Sequence, residues 1–151
     1  MQPPAESATT MHDTVGELLD ATGYRYTRAR RCIVEVLDAA DAPLTIPQLL
    51  AADRRLVQSS TYRNVLLLEE AGALNRVVTA DDHARFELDE QVTQHHHHHL
   101  ICEDCGDVSD FELPAKVEQV LQKAFGRAGR AATFRIQRHR IDLLGTCAAC
   151  A

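Results

Sequence analysis

Two Cys-x-x-Cys pairs, Cys102/Cys105 and Cys147/Cys150, constrain this 151-residue chain more than any other feature. Four thiolates in that pattern match a closed tetrahedral structural zinc site. The segment between the pairs is longer than in a short zinc ribbon, so the predicted site ties the last residues back to a distant strand turn. Two other uses of paired cysteines fit less well. Disulfides belong to oxidising compartments, whereas Met1–Thr10 is polar and has no apolar signal-peptide core, which predicts a cytoplasmic chain. A thioredoxin-like redox pair needs a βαβ setting, which is absent from the pattern. Cys32 lies in a helical stretch and reads as a buried structural thiol.

The first pair is entered from a run of histidines, His95 to His99, followed by Leu100-Ile101-Cys102. An affinity tag is usually six histidines at a terminus beside linker residues; this run has five and is internal. With Gly106 and then Val108, Phe111 and Leu113 behind it, the stretch predicts strand, turn, strand. Side chains alternate along a strand, so His95, His97 and His99 share one face and His96 and His98 the other. One strand can therefore supply two metal sites. Imidazole suits zinc, iron, copper and nickel, so ligand type leaves the metal open.

In the first half, His12–Ala21 predicts a short amphipathic helix after a loose tail over Met1–Thr10. Tyr24–Arg31 is the most basic stretch and contains Arg28 and Arg30. Thr27 is a good N-cap for a second helix with Ile33, Val36 and Leu37 inward. Positive charge at a helix N-terminus opposes the dipole, and phosphate contact is one reason to keep it there. Thr45-Ile46-Pro47-Gln48 has capping-box spacing and starts a third helix. A fourth is predicted from about Ser60 to Ala71, capped by Ser59 or Ser60 and stopped by Gly72. Leu74–Thr79 and Ala84–Leu88 then read as a hairpin. Short helices followed by a hairpin is the winged helix-turn-helix plan, with Ser60, Thr61, Tyr62, Arg63 and Asn64 placed for phosphates and base edges. A net charge of −6 excludes a uniformly basic surface but not a local patch.

Asp89–Gln94 is polar and predicts a hinge, which divides the chain into residues 1–88, 89–94 and 95–151. Beyond the histidine strand, Pro114 opens a helix through Val117, Val120, Leu121, Ala124 and Phe125, with Gly126 and Gly129 as stops. Thr133–Leu144 alternates like a strand and carries His139. The expected fold class is α+β: a winged helix followed by a β-β-α-β domain closed by the cysteines. Pairing its open sheet edges across a two-fold axis would give a homodimer, matched to a two-fold double-stranded DNA site. No apolar run is long enough to span a membrane.

These residues resemble the ferric uptake regulator (Fur) family of bacterial metal-sensing repressors. The resemblance runs from Tyr24 to Cys150. It rests on Thr27-Arg28-Ala29-Arg30, on Ser60-Thr61-Tyr62-Arg63, on His96 to Cys102 with Cys105-Gly106, and on His139 with Gly145-Thr146-Cys147 and Cys150. It implies a dimeric repressor with zinc on Cys102, Cys105, Cys147 and Cys150. It further implies a hinge-region sensing site of Glu87, His97 and His99, with Asp110, and another site of His96, His98, Glu118 and His139. Tyr62 and Arg63 would reach DNA bases or backbone, and Arg30 a phosphate. Iron-sensing members usually have Asp where this chain has His98, so the all-histidine run favours zinc, with ferrous iron or manganese as alternatives. Zinc sensors often place Cys where this chain has Glu87. The family's sensing histidine from the DNA-binding half falls near Pro43, and His83 in the wing is the available substitute.

A zinc enzyme is the reading from another class, and a histidine-rich metal-binding protein without a DNA role is a third. The enzyme would need an open coordination position beside an acid or base, but the chain has neither His-Glu-x-x-His nor the deaminase pattern. A metal store would leave the winged helix unexplained.

Overall fold

The computed structural model describes residues 5–151. Of the expected tail, Met1–Pro4 lie outside the described residues, and Ala5–Thr10 are helical rather than loose: helix α1 spans Ala5–Ala21. Its inner face is Met11, Val15 and Leu19, spaced by one turn each, and the alanine-rich start extends that helix.

Helix α2 (Arg28–Asp38) starts as predicted, with the Thr27 hydroxyl accepting from the Arg30 backbone N–H at 3.4 Å. The Thr45–Gln48 capping box is complete at the start of α3 (Ile46–Ala52). Helix α4 (Gln58–Glu70) departs from expectation, because it starts earlier and neither serine caps it. The Ser60 and Thr61 hydroxyls instead donate back to the Val57 carbonyl, at 3.2 and 2.8 Å. Strand β1 (Leu44–Thr45), unforeseen in the sequence, pairs with β3 (Arg85–Leu88), which also pairs with β2 (Leu74–Val77). Ile33, Leu49, Val65, Leu68 and Phe86 fill the core between these helices and the hairpin. Cys32 is buried there and donates to Asp53 at 3.2 Å; burial first, then that bond, pushes its thiol up to about 11.

The expected hinge is partly ordered. Asp89 caps a helical turn, α5 (Glu90–Thr93), whose Val92 is buried in the first core. Residues 94–97 beyond it have no regular structure.

The second half is the predicted β-β-α-β unit. Strands β4 (His98–Cys102) and β5 (Val108–Phe111) pair antiparallel, α6 (Ala115–Ala131) crosses over, and β6 (Asp142–Gly145) returns parallel to β4. Two expectations fail here. Helix α6 runs through Gly126 and Gly129. Gly129 is a packing glycine, since a Cβ there would lie 2.8 Å from the Phe134 carbonyl oxygen. The expected strand over 133–144 forms only at its end: residues 134–140 are in no strand among the described residues, and pairing begins where the Ile141 carbonyl accepts from the His99 N–H at 3.1 Å. A strand needs a neighbour's backbone as well as an alternating pattern. Phe134 and Leu144, 69% and 63% exposed, stay uncovered, as does Val120 on α6 at 63%.

Candidate metal centres

The cysteine clamp is assembled by strand register. Cys102 pairs with Gly145, and the Glu103 N–H donates to the Gly145 carbonyl at 2.8 Å, which brings the second pair to the first. All four ligand sulfurs, of Cys102, Cys105, Cys147 and Cys150, lie within 4.8 Å of one another. Cys105 Sγ and Cys147 Sγ are 3.7 Å apart. That is too long for a disulfide and close to the edge of about 3.8 Å that a tetrahedron with about 2.3 Å Zn–S bonds requires. Backbone N–H groups of Cys105 and then Cys147 hold the Cys102 thiol down to about 6, while donating its S–H, to Cys147 first, pushes Cys150 up to about 12. Thiols that share protons so unequally suit a cation that replaces those protons.

Glu87, His97, His99 and Asp110 form the second cluster. Glu87 comes from β3 of the wing hairpin; the others come from the second half. His97 Nε2 and His99 Nε2 each lie 3.0 Å from Glu87 Oε2, with Asp110 oxygens at 3.7 and 3.9 Å. Register supplies the rest: His99 pairs with Asp110 on one side and with Asp142 on the other. Burial pushes the Glu87 carboxyl up, but hydrogen bonds from His97 and His99 and their charge outweigh it and hold it at about 2. The Glu87 hydrogen bond raises His97. It also raises His99, where it overcomes burial. Asp142 is the partner that sequence reasoning missed. Its Oδ1 accepts from His99 Nδ1 at 3.0 Å, and only the β4–β6 register could have revealed it. His83 is exposed on the wing and does not join the cluster.

His96, His98, Glu118 and His139 form the third cluster, on the opposite face as parity predicts. His96 Nε2 is 3.1 Å from His139 Nε2, and Glu118 reaches His98 at 2.5 Å and His139 at 3.2 Å. A tetrahedral ion with about 2.0–2.1 Å bonds has ligand edges of about 3.3 Å. His98 Nδ1 is buried without a hydrogen-bond partner, and buried Glu118 Oε2 has only its 3.2 Å contact with His139 Nε2, without hydrogen-bond geometry. Two imidazole nitrogens face to face, with both oxygens of the Glu118 carboxylate turned toward the same histidines, fit a bound cation. Outside the cluster, Glu90 of α5 takes His96 Nδ1 at 2.9 Å.

The expected DNA-facing residues divide. Arg28, Tyr62 and Arg63 are exposed, and Ser60 is half-buried. Thr61 is buried on the Val57 carbonyl. Arg30 is also turned inward: its Nε donates to Asn64 Oδ1 at 3.1 Å, and its guanidinium lies 5.7 Å from the Tyr24 ring centroid. Both side chains satisfy buried polar groups, whereas Arg28 and Arg63 are exposed, and Arg31, also exposed, lies with its guanidinium 4.7 Å from the Tyr26 ring centroid.

A winged hairpin contributing a carboxylate to an imidazole cluster in a cysteine-clamped second half defines a class of metal-binding regulators. A family model for the ferric uptake regulator family matches residues 21–144, and the chain belongs to that family. It is 35% identical over 129 residues to the ferric uptake regulation protein of Brucella suis biovar 1, covering 83% of this chain and 86% of that one. It is 30% identical over 140 residues to the peroxide operon regulator of Bacillus subtilis, covering 89% of each. The solved ferric uptake regulator of Vibrio cholerae superimposes with a TM-score of 0.64 at 27% identity, over 87% of this chain and 98% of that one. These relatives are regulators, and the chain is a regulatory protein rather than an enzyme. No helix among the described residues is long and apolar enough to cross a membrane.

Proposed function

We propose that the chain is a cytoplasmic, metal-dependent transcriptional repressor that binds a two-fold DNA operator as a homodimer and controls metal-homeostasis genes. One observation carries the reading: Glu87 of the wing hairpin shares a ligand cluster with His97, His99 and Asp110 of the second half. A divalent ion there is held by both halves, so it favours whichever relation of the halves brings all four ligands together. In a dimer that relation sets the separation of two α4 helices, and hence their fit to successive major grooves. Dimerisation is supported by the uncovered Val120, Phe134 and Leu144 and by segment 134–140, which is in no strand among the described residues.

Zinc would be held by the four cysteines as a structural ion. Zinc is also the favoured regulatory ion, because the third cluster offers three imidazoles and one carboxylate. The two-imidazole, two-carboxylate set at Glu87 also accommodates ferrous iron or manganese. Fluorescence anisotropy on DNA upstream of the protein's own gene tests both statements, with each metal buffered and the cysteine zinc retained. DNA affinity is expected to rise with zinc at low free concentration and to lose that dependence in Glu87→Ala and His97→Ala. Metal dependence unchanged in both variants overturns the mechanism, and a response to iron or manganese alone overturns the preference for zinc.

A further inference from the structure

Val77 is fully buried, yet it does not belong to the core of its own half. It packs with Ile101 and Val108 of the second sheet in a separate apolar cluster. Beside them the wing turn meets the turn between β4 and β5. Gly106 in that turn is buried at φ +75°, and a Cβ added there would lie 2.3 Å from Asp81 Oδ2. Asp81 is held in this position from its own side. Arg85, whose side chain is 10% exposed, donates to both of its carboxylate oxygens at 3.0 and 2.9 Å, and the Thr79 hydroxyl also donates to it. One residue before Val77, Arg140 Nη1 donates to the Arg76 carbonyl at 3.3 Å.

We infer that the turn carrying Cys102 and Cys105 is also the seat of the wing, so that the DNA-binding half is docked on the cysteine clamp independently of any ion at Glu87. Only the zinc on the cysteines rests on the function proposed above; the docking rests on Val77, Asp81, Gly106, Ile101 and Val108. Glu87 and Val77 belong to one hairpin, so the ion adds a second attachment to an element already held at its tip. The halves then pivot about the wing rather than swing freely. Loosening the clamp releases the wing along with the cysteines.

Hydrogen exchange tests this on the full chain with its cysteine zinc, without regulatory ion or DNA. In Val77→Ala, amides of residues 102–108 are expected to exchange about tenfold faster, although nothing in that half has been changed. In Val108→Lys, residues 78–84 should show the reciprocal gain of about tenfold. Unchanged exchange across the contact in both variants overturns the docking. Should Val108→Lys fail to fold, Val77→Ala alone decides, because Val77 lies outside the clamp. Cysteine-bound zinc, measured on the same samples, reports separately on the zinc assignment.

Discussion

His99 Nδ1 lies 3.0 Å from Asp142 Oδ1, across a register pair of the parallel strands β4 and β6. This contact holds a ring proton on Nδ1, so Nε2, which bonds Glu87, is the nitrogen left to take a metal once its own proton leaves. Asp142→Ala is therefore predicted to lower regulatory-metal affinity by about 10- to 100-fold, as loss of an outer partner of a metal-bound histidine commonly does. Competition with a chelating dye measures it, with cysteine zinc intact. Arg140→Ala, which removes the ion pair on the far side of Asp142 and the bond to the Arg76 carbonyl but leaves the His99–Asp142 contact, is the control and should have the smaller effect.

The same cluster gives the ion-free protein a distinctive pH response. Glu87, held at about 2 against an ordinary 4.5, contributes stability above 4.5 that is lost as pH falls toward 2. His97 and His99 are raised above 6.5, so their contribution is complete below 6.5 and is lost as pH rises through the raised values. Thermal melts without regulatory ion should thus show this contribution greatest between 4.5 and 6.5, and Glu87→Gln should flatten the profile on both sides. Metal binding should release protons over the range where the histidines are protonated, which calorimetry in buffers of different ionisation enthalpy detects.

Arginines near α4 are predicted to separate by role. Arg30→Ala removes the buried bond to Asn64 and should cost about 1.5–3 kcal/mol in urea unfolding. Arg63→Ala touches no buried partner and should leave that unfolding curve in place. Its effect should be on DNA: weaker binding, with the salt dependence reduced by about one phosphate contact. Equal destabilisation by the two would contradict the inward and outward placement described here.

Cys105→Ser should abolish cysteine-bound zinc and, with it, the dimer or the fold of residues 95–151, because binding energy at such a site is folding energy. Zinc content and sedimentation together check this. A variant that stays dimeric without zinc would show that the β4–β6 ladder suffices to hold the last residues.

Much of the architecture was legible wherever the signal is local. Thr27 and Thr45 announced their helices because a cap hydroxyl acts within three residues. Histidine parity split the ligands correctly because strand faces alternate with period two, even though His96 and His97 fall just before β4 begins. Other features depend on partners distant in sequence. Arg30 read as a phosphate contact, and its buried acceptor, Asn64 on α4, is supplied only by the folded chain. Gly129 looked like a helix stop because its close neighbour, Phe134, is brought back by the turn that follows. Residues 133–140 had the pattern of a strand, but no strand among the described residues pairs with them.

The clustered positions are counted backward from Leu100, and four of the five consecutive histidines enter the two clusters. His95, 56% exposed, merely pairs with the exposed Glu112. Within an unbroken run, deletion of any one histidine codon yields the same protein, in which the four positions nearest Leu100 are still histidine. Such repeats are prone to gain or lose a unit when copied. The spare residue makes the coding sequence tolerant of one such error, at the expense of one residue of connector. A second loss would empty a metal site.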